Sequence, residues 1–123
     1  MTEPLALVVY ERLLPGTQLM NRLQDLRYRT QAVTDPGALV ACARQEKPMV
    51  VLADLVSDRD ICGAIARLKE SSDTKHIPVI AFGPDASGDA QAAALKAGAA
   101  LVVSDTAIVN HLTQFLDQAL RVE

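Results

Sequence analysis

An aspartate that closes an apolar run is the residue of this chain best placed to do chemistry. Residues 49–53 are apolar and Asp54 follows them directly. The run is too short and too rich in β-branched side chains for a helix, so it predicts a buried parallel strand. A carboxylate at the carboxyl end of such a strand lies where open α/β sheets bind their ligands. The alternative is a strand-ending carboxylate that is solvated or bonded to the following loop.

Other residues that bear on chemistry end the remaining apolar runs. Tyr10 and Glu11 end the first run, Gly83 follows the fourth, and Asp105 comes soon after the fifth. Because the carboxyl ends of parallel strands meet at one edge of a sheet, these residues are expected beside Asp54. Two acids in the loop after Asp54 are interpreted as caps of the next helix or as additional oxygen ligands.

The elements that must position these residues alternate along the chain. Apolar runs predict strands at residues 5–10, 29–33, 49–54, 78–82 and 101–103. Helical spacing predicts helices at residues 15–27, 61–69, 90–96 and 107–120, and another that begins at Pro36 and ends before Pro48. Asp35 is the predicted cap of that additional helix, and Gly98 is the predicted end of the helix over residues 90–96.

This alternation predicts an α/β fold of one doubly wound, five-stranded parallel sheet with five helices and right-handed crossovers. Two helices are expected on one face of the sheet and three on the other. The 123 residues are enough for one core and too few for two, so one domain is expected over residues 1–123. Only 3% of the residues are aromatic, and the core must therefore be aliphatic.

Composition and charge exclude several classes of partner. The net charge is −3 with both signs spread along the chain, so no basic stripe predicts nucleic-acid binding. No apolar run approaches the roughly 18 residues of a membrane span, and the first residues do not form a targeting signal. Cys42 and Cys62 are interpreted as reduced, packed thiols. The expectation is a cytoplasmic protein that binds neither nucleic acid nor membrane.

Three segments carry a resemblance to a known family. They are residues 46–55, which end in Asp54-Leu55, residues 68–81, which contain Ile-Pro-Val-Ile, and residues 96–99, which contain Ala-Gly-Ala. These segments resemble the response-regulator receiver domain, the CheY-like module of two-component (phosphorelay) signalling. The resemblance covers about residues 5–120 without insertions, and it implies a flavodoxin-like, receiver-type fold of three αβα layers.

The resemblance implies roles for Asp54 and its neighbours. In the family, the aspartate that ends the third strand accepts phosphate from a phosphorylated histidine, which implies that Asp54 is the phosphoacceptor. Two acids after the first strand normally hold Mg²⁺ with it, because a hard cation prefers oxygen ligands. The metal ligands implied here are Glu11, Asp54 and the backbone carbonyl of Val56. Mg²⁺ is the one cofactor implied.

Four switch positions depart from the family pattern. Tyr10 stands where the first metal-binding acid is expected, and Gly83 replaces the Thr or Ser whose hydroxyl binds the phosphoryl group. Asp105 replaces a Lys, and Val102 replaces the aromatic residue that reorients on activation. The resemblance is therefore to a degenerate, pseudo-receiver variant in which the ordinary switch is dismantled.

The last predicted helix has a wider apolar stripe than one face of a sheet needs. Val109, Leu116 and Leu120 widen this stripe. They are interpreted as a surface that binds a partner protein or a second copy of the chain. The alternative is that they form a buried edge of the core.

Three functions are compatible with these patterns. The first is an atypical receiver domain, not an enzyme, that contacts a histidine kinase, a downstream effector or a second copy independently of phosphorylation. The second is a Mg²⁺-dependent phosphoacceptor that a histidine kinase phosphorylates on Asp54. The third, a small flavodoxin-like enzyme or cofactor carrier, is disfavoured because residues 11–17 contain only Gly16 and Thr17 as donors for a phosphate loop.

Overall fold

A five-stranded parallel sheet forms the middle of the structure. The computed structural model describes residues 4–10, 13–33, 35–55, 61–83 and 88–120. Its strands, in the spatial order β2-β1-β3-β4-β5, are β1 (Leu5–Val9), β2 (Arg29–Val33), β3 (Val50–Asp54), β4 (Val79–Gly83) and β5 (Leu101–Ser104). Strands β1, β3 and β4 are buried along their whole length, which is typical of a parallel sheet covered on both faces.

Six α-helices accompany the strands. They are α1 (Leu13–Asp25), α2 (Leu39–Glu46), α3 (Ile61–Glu70), α4 (Gly88–Ala97), α5 (Asp105–Asn110) and α6 (Leu112–Leu120). A short 3₁₀ turn, Pro36–Ala38, precedes α2. Within the described residues, no helix is both long enough and apolar enough to cross a membrane.

Two aliphatic cores cover the two faces of the sheet. The core beneath α2, α3 and α4 includes Leu39 and Ile65 together with Val51 of β3. The core beneath α1, α5 and α6 includes Leu23 together with Leu52 of β3. Successive residues of β3 thus point to opposite faces, as the pleat of a strand requires. The predicted α/β fold is confirmed, with three helices on one face and α1 plus the two segments of the last predicted helix on the other.

The last helix is divided, although the sequence predicts one helix over residues 107–120. α5 ends at Asn110, and His111 leaves the helical conformation at φ −123° and ψ 29°. Asn110 and His111 are weak helix formers and both are exposed, so no packing opposes the break. α6 then buries Leu112 and Leu116 against the sheet.

The start of α2 and the ends of two strands also differ from the prediction. The Asp35 side chain accepts a hydrogen bond from the Gly37 N–H at 3.0 Å. This cap stabilises a 3₁₀ turn first, so α2 begins only at Leu39. Strands β4 and β5 each run one residue further than predicted, to Gly83 and Ser104. Both of these residues are therefore part of the sheet.

The loop between α3 and β4 is anchored in the interior at the amino edge of the sheet. Thr74 is fully buried, and its hydroxyl donates to the Leu68 carbonyl at 2.6 Å. Lys69 Nζ donates to the Ile77 carbonyl at 2.5 Å, and burial lowers the pKa of Lys69 below its ordinary value of 10.5. Gly98 ends α4 with φ +122°, and a Cβ there would lie 2.6 Å from Lys69 Cγ. Only glycine fits this position without strain.

Candidate functional site

Asp54 lies at the centre of the carboxyl edge of the sheet. It is the last residue of β3 and is 1% exposed. Its partner in the sheet register is Phe82 of β4, and the preceding residue Ala53 pairs with Val9 of β1. Tyr10 follows Val9 directly, so the register brings Tyr10 and Asp54 to adjacent positions at this edge.

Tyr10 and Val102 both contribute to the hydrophobic cores. The half-buried Tyr10 side chain packs with the core beneath α1, α5 and α6, and the Tyr10 N–H donates to the Val33 carbonyl at 3.3 Å. Val102 pairs with Ala81 in the register and packs against the core on the other face. Tyr10 therefore supplies no carboxylate, and Val102 supplies no aromatic ring.

The carboxyl edge has space for a side-chain atom at Gly83. It is the last residue of β4 and pairs with Ser104 of β5. A Cβ at Gly83 would lie 3.6 Å from Leu55 Cβ, which is an ordinary van der Waals contact. The described neighbours of Gly83 therefore leave space for a Cβ.

Ser104 and Asp105 form the beginning of α5. The Ser104 side chain caps the helix by accepting a hydrogen bond from the Ala107 N–H at 3.1 Å. Asp105 is the acid in the first turn, where its negative charge interacts favourably with the helix dipole. The sequence analysis did not identify the Ser104 cap, although a Ser followed by an Asp just before an apolar helical pattern is a recognised start signal.

The backbones of Asp105 and Asp54 lie about two strand spacings apart. Two strand spacings separate β3 from β5, which is about 10 Å, and Asp105 lies one residue beyond the end of β5. Two carboxylates at about 10 Å would repel each other by about 1.7 kcal/mol at an effective dielectric of about 20 and by about 0.4 kcal/mol in bulk water.

The predicted metal site falls partly outside the described residues. Glu11 and Val56 are not among them, so Asp54 is the one predicted metal ligand that the structure describes. Among residues 4–10, 13–33, 35–55, 61–83 and 88–120, no group of three or more His, Cys, Asp or Glu side chains is suited to hold a metal ion.

The three residues that are predicted to widen the apolar stripe of the last helix differ in exposure. Leu116 on α6 is 4% exposed and packs in the core against the sheet. Val109 on α5 is half-buried, and the side chain of Leu120 is outside what the structure describes.

A groove of about 310 Å³ lies between the end of α1 and α6. It is lined by Leu26, Tyr28, Thr113, Leu116 and Asp117. Leu26, which is 37% exposed, is an apolar surface residue that the sequence pattern did not reveal. The helical spacing of Leu19, Leu23 and Leu26 made it indistinguishable from a core residue.

Receiver domains have the same fold as this chain. Similar structures include the receiver domain of a sensor histidine kinase from Pseudomonas aeruginosa, which has a magnesium ion coordinated in its active-site cleft. It is 20% identical, with a TM-score of 0.86 over 97% of this chain and 98% of that one. The chemotaxis protein CheY4 of Vibrio cholerae is 17% identical, with a TM-score of 0.85 over 97% and 100% of the two chains. A response regulator from Thermotoga maritima is 18% identical, with a TM-score of 0.81 over 97% and 98%.

The sequence itself matches no family model and no curated protein. At 17–20% identity, the similar structures show the fold of the chain and not its chemistry. What the carboxyl edge does must therefore be argued from its own residues.

Proposed function

We propose that this chain is an atypical receiver domain, over residues 1–123, that acts in two-component signalling by protein–protein contact without aspartyl phosphorylation. The observation that supports this is the construction of the carboxyl edge around Asp54. Gly83 has no hydroxyl to bind a phosphoryl oxygen. Ser104 and Asp105 begin α5 at the position where the family resemblance predicts a cationic lysine.

Charge supports the same proposal. A phosphoryl group brings about two negative charges at neutral pH, and these need cations or hydrogen-bond donors to be stabilised. Here Asp105, two strands away from Asp54 in the sheet order, adds a further negative charge to this edge and not the positive charge of a lysine. Tyr10 packs into the core where a metal-binding acid is expected. Phosphorylation of Asp54 would therefore gain little stabilisation from the described residues around it.

The proposed partner is a histidine kinase, a downstream effector or a second copy of the chain. Similar structures come from a sensor histidine kinase and a chemotaxis protein, which supports a role in signalling. The proposed contact surface comprises Val109 of α5 and the groove beside Leu26, between the end of α1 and α6. The cytoplasm is the proposed location.

A second candidate function is Mg²⁺-dependent phosphorylation of Asp54. It is favoured by the position of Asp54 at the end of the central strand β3 and by the magnesium ion in the cleft of the similar Pseudomonas aeruginosa domain. In that case Glu11 and the Val56 carbonyl would complete the ligand set with Asp54.

Labelling with radioactive acetyl phosphate in the presence of Mg²⁺ separates the two candidates. We expect no label on the wild-type chain under conditions that label an ordinary receiver domain. Asp54→Asn is the matched control, because it removes the phosphoacceptor and keeps the size of the side chain. Label that is present on the wild type and absent from Asp54→Asn would contradict the proposal and support the second candidate.

A charge-restoring variant makes this test sharper. Asp105→Lys returns a cation to the edge, but Gly83 and Tyr10 are unchanged, so we expect this variant to remain unlabelled. Rapid labelling of Asp105→Lys would mean that a single charge, and not the whole edge, prevents phosphorylation.

A further inference from the structure

An open cavity of about 500 Å³ lies at the amino edge of the sheet. It is lined by Arg44, Lys47, Asp73, His76 and Ile77, and we refer to it as the basic cavity. Its walls come from the end of α2 and from the loop that leads into β4. β3 has five residues and rises about 3.3 Å per residue, so at least about 13 Å of strand separates this cavity from Asp54.

The basic cavity has a charge opposite to that of the whole chain. Arg44 and Lys47 are cationic and Asp73 is anionic, so the lining carries one net positive charge even when His76 is neutral. The chain as a whole carries a net charge of −3. A concave positive site on an acidic protein concentrates small anions.

The α3–β4 loop orients the Arg44 guanidinium. Arg44 Nη2 donates to Ser71 Oγ at 3.1 Å, and Arg44 Nε lies 3.8 Å from Asp73 Oδ2. The Arg44 and Asp73 side chains are 56% and 71% exposed. A guanidinium has five N–H donors in a fixed plane, so these two contacts leave Arg44 with donors that a ligand can reach. Its planar geometry matches two oxygens of a phosphate group.

Lys47 is held in a backbone conformation that favours glycine. It follows α2 with φ 52° and ψ 59°, and its N–H donates to the Ala43 carbonyl. Helices commonly end with such a residue, but it is usually Gly or Asn. The end of α2 thus places the cationic Lys47 at the wall of the cavity.

The opposite wall of the basic cavity is already ordered before any ligand binds. The Thr74 hydroxyl and Lys69 Nζ donate to backbone carbonyls on either side of Asp73 and His76. Thr74 is fully buried, so the loop that presents Asp73 and His76 is tied to the interior. An ordered wall lowers the entropic cost of binding.

We infer that the basic cavity binds the phosphate group of a small ligand. Arg44 supplies the planar donors, Lys47 supplies a point charge, and the volume is within the range of small-molecule sites. Inorganic phosphate and a mononucleotide share this chemistry. The site is independent of the proposed function, because it uses neither Asp54 nor the contact surface at α1 and α6.

An amide NMR titration with inorganic phosphate, and separately with AMP, tests this inference at constant ionic strength. Saturable shifts are expected at Arg44, Lys47, Asp73 and His76. Arg44→Gln should weaken binding at least tenfold. Arg22→Gln is the matched control, because Arg22 is an exposed arginine on α1, at the other face of the sheet, and it should leave the affinity unchanged.

A charge variant tests the same site in the opposite direction. Asp73→Asn removes the acid from the lining and is expected to tighten phosphate binding several-fold. Tighter binding of AMP than of phosphate would assign a nucleotide as the ligand, and equal affinities would assign the phosphate group alone. No saturable shifts with either probe, or equal weakening by Arg44→Gln and Arg22→Gln, would overturn the inference.

Discussion

The two edges of the sheet are built in different ways. At the amino edge, the Thr74 hydroxyl and Lys69 Nζ bind backbone carbonyls, and Gly98 occupies a conformation that suits only glycine. At the carboxyl edge, Gly83 has room for a side chain that it lacks, and Asp105 belongs to the start of α5. At the amino edge, the described residues therefore fix the α3–β4 loop by bonds to backbone carbonyls and end α4 at a position that suits only glycine.

This difference explains how the chain keeps a receiver fold while most of the expected switch residues are changed. The segment over residues 68–81, which resembles the receiver family closely, contains Thr74, Lys69 and Ile77 and so carries the interior anchors. These contacts stabilise the fold whatever happens at Asp54. The carboxyl edge can change its chemistry at a small cost in stability.

The largest effect is expected from a matched pair of glycine substitutions, one at each edge. Gly98→Ala forces a Cβ against Lys69 Cγ and strains a residue with φ +122°, and we expect it to lower the free energy of unfolding by about 2–4 kcal/mol. The Cβ added by Gly83→Ala makes only an ordinary contact with Leu55. We expect this variant to change the free energy of unfolding by less than about 1 kcal/mol. Urea denaturation measures both. Equal losses would contradict the contrast between the edges.

Removal of the buried hydroxyl at the amino edge is expected to have the next largest effect. Thr74→Val keeps the shape of the side chain but leaves the Leu68 carbonyl without the bond that it receives at 2.6 Å. We expect a loss of about 1–3 kcal/mol in the free energy of unfolding. The matched control is Thr113→Val on the exposed side of α6, for which a change within about 0.5 kcal/mol is expected. A loss at Thr113 as large as that at Thr74 would contradict the account.

At the carboxyl edge, a smaller effect is expected from loss of the α5 cap. Ser104→Ala removes the acceptor for the Ala107 N–H and should cost about 1 kcal/mol. Ser104→Asp keeps a capping oxygen and should restore most of this stability. Thermal unfolding of the wild type, Ser104→Asp and Ser104→Ala measures whether their stability decreases in this order. If Ser104→Asp is no more stable than Ser104→Ala, the side chain does not stabilise the helix start.

The smallest effect is a pH dependence at Lys69. Burial lowers the pKa of Lys69 below 10.5, so at high pH the unfolded chain binds this proton more tightly than the folded chain. The contribution of Lys69 to the free energy of unfolding should therefore rise as the pH increases from the lowered pKa towards 10.5. The stability difference between wild type and Lys69→Met, measured at neutral pH and near pH 10, should shift in favour of the wild type. A shift in favour of Lys69→Met would contradict the assigned direction.

Much of the fold follows from short patterns in the sequence. The apolar run that ends at Asp54 predicts β3, and Gly98 predicts the end of α4, because a strand and a glycine cap each depend on neighbouring residues. The break at His111 was not predicted, since the apolar stripe continues across it. The apolar stripe indicates which residues face the sheet, but it does not indicate whether the backbone between them stays helical.

The candidate site was less predictable for a different reason. The order of the strands brings Tyr10, Asp54 and Gly83 to one edge, and the alternation of strands and helices is enough to predict that. The burial of Leu116 and the exposure of Leu26 depend on how α1 and α6 pack against each other. The basic cavity brings Arg44 and Asp73 together, although they are far apart in the sequence. No pattern of neighbouring residues predicts such a pair.

An amide NMR titration with Mg²⁺, followed by beryllofluoride as a phosphoryl mimic, shows whether the chain acts without phosphorylation of Asp54. We expect that at millimolar Mg²⁺ the amides of Asp54, Gly83 and Val102 do not shift, and that beryllofluoride causes no further change. Saturable shifts at Asp54 that spread to Gly83 and Val102 when beryllofluoride is added would contradict it, because the phosphoryl switch would then still operate.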